Sequence, residues 1–183
     1  MQMRPEIQIT SVIKAVKDVL IPAIDPNNKL AVEQAQLVIG LLSLLASQLP
    51  VQFRFDRDEL ARLLATAESL TAVPANDAKL ATAIGELAAS QTAGASILEH
   101  CRVDPAILVN SVRELRQKVG AVVSAAAGTS DVATQLRIEK IILDLSKEQL
   151  LRDRSLMKPQ GWEPDPAALP AIAELLAGTP LDA

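Results

Sequence analysis

The sequence predicts an all-α fold: a bundle of five or six principal helices, a Pro-rich C-terminal arm and a short final helix. Apolar residues recur every three or four positions in successive segments, the spacing of helices that bury one face. No segment has strand periodicity, and no Asn-Gly or Asp-Gly hairpin signal occurs. We expect residues 1–157 to form the bundle. Residues 158–183 would form the arm and final helix, packed on the bundle or on a partner.

The first two helices are delimited by prolines. Pro5 suits a first helical position, because its missing N–H would have no partner there, and Pro22 should end or kink the helix after Ile21. A second helix is expected to start after Asp25-Pro26 and to extend to about Gln48. Its second half, LVIGLLSLLAS, is apolar on nearly every face, which indicates a central helix or one shared with a second subunit.

Capping signals place the third and fourth helices. Asp56 and Glu59 have the spacing of a capping box, so the third helix should open at Asp56 and end at Val73-Pro74. A fourth helix is expected over about Asn76–Glu99. Gly94 weakens it and marks a point where it could divide.

The remaining helices begin after Asp or Ser. Asp104-Pro105 predicts the start of the fifth helix, and Gly128 is a candidate left-handed residue at its end. The sixth should run from near Ser130 to about Leu156. A last short helix is expected from Asp165-Pro166 to Ala177, with Pro170 in its first turn.

Composition argues for a protein that binds other proteins or itself. Apolar residues make up 49% of the chain, and its mean hydropathy is +0.23. Such a chain needs a large core or exposes an apolar patch, which favours an oligomer or a partner-docking face over a monomer with an efficient core. The net charge of −4 provides no field that attracts nucleic acid.

The N-terminal region indicates a cytoplasmic protein. Its first residues, MQMRPEIQIT, contain no apolar stretch resembling a signal peptide. The most apolar run, Leu37–Ala46, is shorter than the roughly 20 residues that a membrane span needs. We therefore expect no membrane association.

The residues typical of catalytic and metal sites are scarce. One His and one Cys occur, the adjacent His100 and Cys101, and a zinc site would need two more such ligands. Adjacent helical residues diverge by about 100°, so we interpret His100 as a helix C-terminal residue and Cys101 as a small buried side chain. The Glu-x-x-His signature of di-iron bundles is absent. We expect no cofactor, no metal and no catalytic residue, and hence a protein that is not an enzyme.

Four groups of residues are candidate contacts with a partner or ligand, the first being the leucines of the second helix. On the fourth helix, small residues leave room for a second helix to approach closely. Trp162 is predicted to anchor the arm on the bundle, with a partner hot spot as the alternative. The basic segment near residue 155 could contact an anionic ligand, although a solvated helix end is the favoured interpretation. The residues are Leu37, Leu41, Leu44 and Leu45 on the second helix, Ala81, Gly85 and Ala89 on the fourth, Trp162 in the arm, and Arg152, Arg154 and Lys158 in the basic segment.

The stretch VLIPAIDPNNKLAVEQAQLVIGLL, residues 19–42, is similar to the start of some uncharacterised bacterial helical proteins. The resemblance covers about the first quarter of the chain. It implies a bacterial, cytosolic, all-helical protein, and it supplies no activity or site residues. The sequence as a whole predicts a non-enzymatic interaction protein that self-associates or serves as an accessory subunit of a bacterial metabolic enzyme. The alternative is a carrier or sensor that holds an apolar, acyl-like molecule between helices.

Overall fold

The computed structural model describes residues 4–100, 103–129 and 131–176. Helices account for 82% of the structure, and the described residues contain no strand, which confirms the all-α prediction. The helices are α1 (Pro5–Ala15), α2 (Ile21–Ala23), α3 (Lys29–Gln48), α4 (Gln52–Thr71), α5 (Ala78–Glu99), α6 (Pro105–Ala126), α7 (Val132–Met157) and α8 (Ile172–Leu175). A π-helical turn, Val16–Leu20, joins α1 to α2, and 3-10 turns cover Lys158–Gln160 and Pro166–Ala168.

The chain divides into two compact units. The first consists of Met1–Gln52 and Asp153–Ile172, and the second of Phe53–Arg152 and Ala173–Ala183. The second unit therefore contains α4, α5, α6 and most of α7.

A pair of helices forms most of the first unit. α1 packs along α3, and Val16 and Leu44 are buried. The widened π turn lies just before Pro22, whose ring cannot donate a helical hydrogen bond, and the helix ends at Ala23.

The predicted start of the second helix at Asp25-Pro26 is wrong. Asp25 instead closes a turn, because its side chain and its carbonyl accept hydrogen bonds from the backbone N–H groups of Asn27 and Asn28. Asn28 caps α3 by accepting a hydrogen bond from the N–H of Ala31 at 3.1 Å. The helix therefore begins at Lys29.

A leucine-rich core holds the second unit together. The fully buried side chains come from all four of its long helices and include Leu60, Leu70, Leu80, Leu87, Leu108, Leu115, Val122 and Ile138. Gly94 does not divide α5. A Cβ at this buried position would lie 3.1 Å from a Leu64 methyl group and 3.2 Å from one of Leu115, so the glycine allows close packing.

Helix boundaries in the second unit follow the predictions only in part. Asp104 caps α6 as predicted, accepting a hydrogen bond from Ala106. The capping box at Asp56 and Glu59 is wrong, because α4 already begins at Gln52 and both residues lie inside it. Among the described residues Gly161 is the one with positive φ, so Gly128 is not the left-handed residue that we expected.

The start of α7 and the last helix also differ from prediction. Asp131 caps α7 by accepting hydrogen bonds from Ala133 and Thr134, whereas Ser130 lies outside the described residues. The last helix is split into a 3-10 turn and α8, because Pro170 supplies no backbone donor between them. Its predicted end at Ala177 lies outside the described part of the chain.

Candidate functional site

The main candidate site is an exposed apolar row on α3, which we call the α3 stripe. At 100° per residue its members fall within an arc of roughly 120°, so they lie on one side of the helix. Leu37, Leu41 and Leu45 are 47%, 46% and 50% exposed, although leucine is usually buried. Over 20 residues the helix is roughly 30 Å long. The α3 stripe consists of Leu30, Leu37, Val38, Leu41, Leu45 and Leu49.

Leu44 does not belong to this surface. The sequence placed it with Leu37, Leu41 and Leu45 as a contact residue, but it is only 7% exposed and is buried within its own chain. Leu44 lies only about 20° around the helix from Leu37, at the edge of the stripe, so its burial and not its angular position excludes it from the exposed surface. This part of the predicted interface is wrong.

The side of α3 away from the stripe is polar. Gln36, Ser43 and Ser47 are exposed there, roughly 160° around the helix from the centre of the stripe. The helix therefore has an apolar strip, a polar strip and a third strip that packs within the first unit. α1 and the π turn after it add further exposed apolar side chains, of which Val12 on α1 is 48% exposed and Val19 in the turn is 63% exposed.

α3 also meets the length and composition criteria for a membrane-crossing helix. Its mean hydropathy is 1.6, and 6% of the apolar window is buried. The run Leu37–Ala46, which is too short to span a membrane, covers ten residues, whereas the complete helix has 20.

The small-residue row on α5 is exposed. Ala81, Gly85 and Ala89 lie on the outer side of the helix, and no heavy atom lies within 4 Å of the position of a Cβ at Gly85. The packed face of α5 is a different one, formed by Leu80, Ala83, Leu87, Ser90 and Gly94. The row is not used for packing between the described helices of this chain.

Trp162 does not anchor the arm. Its side chain is 72% exposed, so the favoured prediction is wrong. The arm is held instead by Leu169, which is 5% exposed, and by two polar contacts: Arg154 Nε donates to Glu163 Oε2 at 3.0 Å, and Lys158 Nζ donates to the carbonyl oxygen of Leu169 at 3.1 Å. The hydrogen-bonded Arg154 guanidinium lowers the pKa of Glu163 below its ordinary value, and Glu163 in turn raises the pKa of Arg154.

All three residues of the predicted anionic-ligand segment have partners within the chain. Arg154 and Lys158 contact the arm, and Arg152 Nε donates to Asp58 Oδ2 at 2.7 Å. A ligand would have to compete with these contacts for the same cations.

Sequence reasoning missed a cluster of buried charges on α4. Asp58 is 4% exposed and accepts hydrogen bonds from Arg62 at 2.8 Å and Arg152 at 2.7 Å. Glu59 is 5% exposed and forms an ion pair with Arg116. The available signal was the i, i+4 spacing of Asp58 and Arg62 beside core leucines, which can be recognised only once the true start of α4 is known.

The single histidine lies at the C-terminal end of α5. His100 is exposed at the end of α5, and its Nδ1 lies within hydrogen-bond distance of the carbonyl oxygen of Ser96. Cys101 lies outside the described residues. Within the described ranges, no group of three or more His, Cys, Asp or Glu residues is placed to hold a metal ion.

An apolar cleft of about 550 Å³ lies between α6 and α7. Gln135 and Glu139 are its polar members, and Arg152, Arg154 and Lys158 do not line it. The predicted basic residues are thus not placed to bind the head group of a molecule in this cleft. The apolar lining residues are Val123, Ala126, Ala127, Ile138, Ile142 and Leu143.

Comparisons with protein-family models, with curated proteins and with solved structures find no match for this chain. The observations that bear on function are therefore the chain's own surfaces. Among these, the α3 stripe combines the largest number of exposed leucines with a regular helical spacing.

Proposed function

We propose that this protein is a non-enzymatic helical interaction protein that self-associates through the α3 stripe. The exposure of Leu37, Leu41 and Leu45 on one side of a single helix carries the proposal. Contiguous apolar surface of this kind is typical of sites that bind another protein. The proposed partner is a second copy of the chain.

A two-fold pairing suits a two-helix unit. In α1 no described residue is buried, the π turn that follows it buries Val16, and α3 buries Leu44, so this pair of helices gains little from its own packing. Two copies that share their α3 stripes would form an antiparallel or crossed four-helix arrangement with a core of leucines. Because these leucines are already about half buried, each would contribute about 0.7–1.5 kcal/mol by leaving water, half of the value for a fully exposed leucine.

The polar strip on α3 supports a protein partner rather than lipid. Gln36, Ser43 and Ser47 would remain in water when the stripe is covered by a second copy. In a bilayer their polar groups would face hydrocarbon, which is unfavourable without hydrogen-bond partners. The proposal accordingly places the protein in the bacterial cytoplasm.

The test variant carries both Leu41→Glu and Leu45→Glu. The molar mass of the particle is then measured by light scattering after size-exclusion chromatography. Both side chains are about half exposed, so a monomer should tolerate the change. The matched control carries Gln36→Glu and Ser43→Glu, which add the same charge to the polar strip of the same helix.

The two variants are expected to differ. The leucine variant should be monomeric with native helix content, because a dimer would bury four carboxylates without partners. The control should remain dimeric. Dimerisation of both variants would contradict the assignment of the stripe, and a monomeric control would show that charge alone disrupts assembly.

The second candidate function is a carrier for an aliphatic molecule, and the cleft between α6 and α7 favours it. Its volume of about 550 Å³ lies within the range of small-molecule sites, and most of its lining is apolar. Native mass spectrometry of gently purified protein tests this role. Excess mass that is lost on denaturation and is absent from an Ala126→Phe variant would support it, and a bare chain would exclude it.

A further inference from the structure

A second, smaller cleft lies between α4 and α7 in the second unit. Its volume is about 220 Å³. One wall comes from α4 and the other from α7, so two different helices supply the groups that face the space. The lining residues are Arg62, Ala65, Thr66 and Ser69 on α4 and Ile141, Asp144, Leu145 and Glu148 on α7.

The α4 wall contains a guanidinium group whose hydrogen-bonding capacity is only partly used. The Arg62 side chain is 10% exposed, and its Nε donates to Asp58 at 2.8 Å. Its two terminal nitrogens are buried, and neither has a hydrogen-bond partner within the described part of the chain. Buried donors without partners are costly, and a guanidinium with both terminal nitrogens available suits a carboxylate, which can accept two parallel hydrogen bonds.

The carboxylate that Arg62 contacts is shared with a second cation. Arg152 of α7 donates from Nε to the same Asp58 oxygen at 2.7 Å, so one carboxylate faces two guanidinium groups. Asp58 alone therefore does not balance both of these positive charges.

The α7 wall has the opposite sign. Asp144 and Glu148 are one helical turn apart and exposed, so they lie on the same side of α7. Asp144 contacts the exposed Lys147 at 3.5 Å. Ile141 and Leu145 place apolar surface between the charged groups of the two walls.

We infer that this cleft is a binding site for a small zwitterion of the α-amino acid class with an aliphatic side chain. Its carboxylate would accept hydrogen bonds from the terminal nitrogens of Arg62. Its ammonium group would lie against Asp144 and Glu148, and its side chain against Ile141 and Leu145. A simple anion would leave the α7 carboxylates unmatched, and a simple cation would leave Arg62 unmatched.

The test uses L-valine and two molecules that each lack one of its charged groups. 3-Methylbutanoate keeps the carboxylate and carbon skeleton, and 2-methylpropylamine keeps the ammonium group. Binding to the full-length protein is followed by NMR titration of its amide resonances. Valine should bind at least about tenfold more tightly than either molecule, because each of them loses a charge-assisted contact.

A double variant on α7 assigns the ammonium contact without disturbing the buried Asp58 pair. Asp144→Asn with Glu148→Gln should weaken valine binding about tenfold or more and leave 3-methylbutanoate binding unchanged or stronger. The matched control is Glu68→Gln with Glu99→Gln, because it removes the same number of exposed carboxylates from the second unit outside both clefts. Its affinity for valine should equal that of the unmodified protein.

Several results would overturn the inference. Equal affinities for valine and 3-methylbutanoate would indicate an anion site. Absence of binding by all three probes, together with lower stability of Glu148→Gln, would indicate that the Glu148 side chain itself pairs with Arg62. Equal effects of the α7 variant and the matched control would show only a long-range charge effect.

Discussion

Asp58 offers the sharpest test of how the second unit is held together. Its carboxylate is 4% exposed and is shared by Arg62 and Arg152, whose side chains are 10% and 14% exposed. The change Asp58→Asn keeps the shape of the side chain but removes its charge. Two buried guanidinium groups then lose their counter-ion, and the loss of one partner from a buried ion pair costs about 3–5 kcal/mol.

The assay is urea unfolding followed by far-ultraviolet circular dichroism. With a slope of about 2 kcal/mol per molar urea, the expected loss lowers the unfolding midpoint by roughly 1.5–2.5 M. Asp144→Asn is the control, because Asp144 is 59% exposed and its ion pair with Lys147 contributes at most about 1 kcal/mol. Equal midpoints for the Asp58 and Asp144 variants would refute the claim that burial makes the Asp58 pair important.

Three further changes test other parts of the structure. Leu115→Ala removes a fully buried side chain and should lower the free energy of unfolding by about 2–5 kcal/mol in urea melts, with a smaller loss indicating a collapsible core. Trp162→Ala should change the free energy of unfolding by less than about 0.5 kcal/mol, since the ring is 72% exposed. A loss of several kcal/mol would indicate that Trp162 does anchor the arm. Arg154 lowers the pKa of Glu163, so this pair stabilises the fold above the ordinary glutamate pKa and ceases to do so as pH falls through the lowered value. Thermal melts of Glu163→Gln should therefore show a weaker loss of stability on acidification, and an unchanged pH profile would contradict the contact.

Periodicity predicted the helices well because burial of one face is what selects it. Leu60, Leu63, Leu64 and Leu70 follow helical spacing, and all four are buried. Asp104-Pro105 also marked a true start, since Asp accepts from the first free N–H groups and Pro needs no partner.

Boundaries and buried charges could not be predicted because local signals compete with packing. Asp56 and Glu59 match a capping box, but α4 begins one turn earlier. Their neighbour Asp58 is buried by pairing with Arg152, which is distant in sequence. Short-range spacing carries no information about such a partner.

Of the α3 leucines that the sequence singled out as contact residues, the structure exposes Leu37, Leu41 and Leu45 but not Leu44. LVIGLLSLLAS is apolar on nearly every face, so composition could not tell which leucines would pack within the chain. The structure buries Leu44 and leaves Leu41 and Leu45 exposed. Trp162 shows the converse. Burial would favour a ring of this size, but the side chain is exposed, and polar contacts help to hold the Pro-rich arm.

The most direct test of self-association is sedimentation equilibrium of the unmodified full chain over a wide concentration range. The account predicts a particle of twice the mass of one chain, with dissociation to the monomer at low concentration. It also predicts that the Leu41→Glu, Leu45→Glu variant stays at the mass of one chain throughout. An unmodified protein that remains monomeric at every concentration would contradict the proposed role of the α3 stripe.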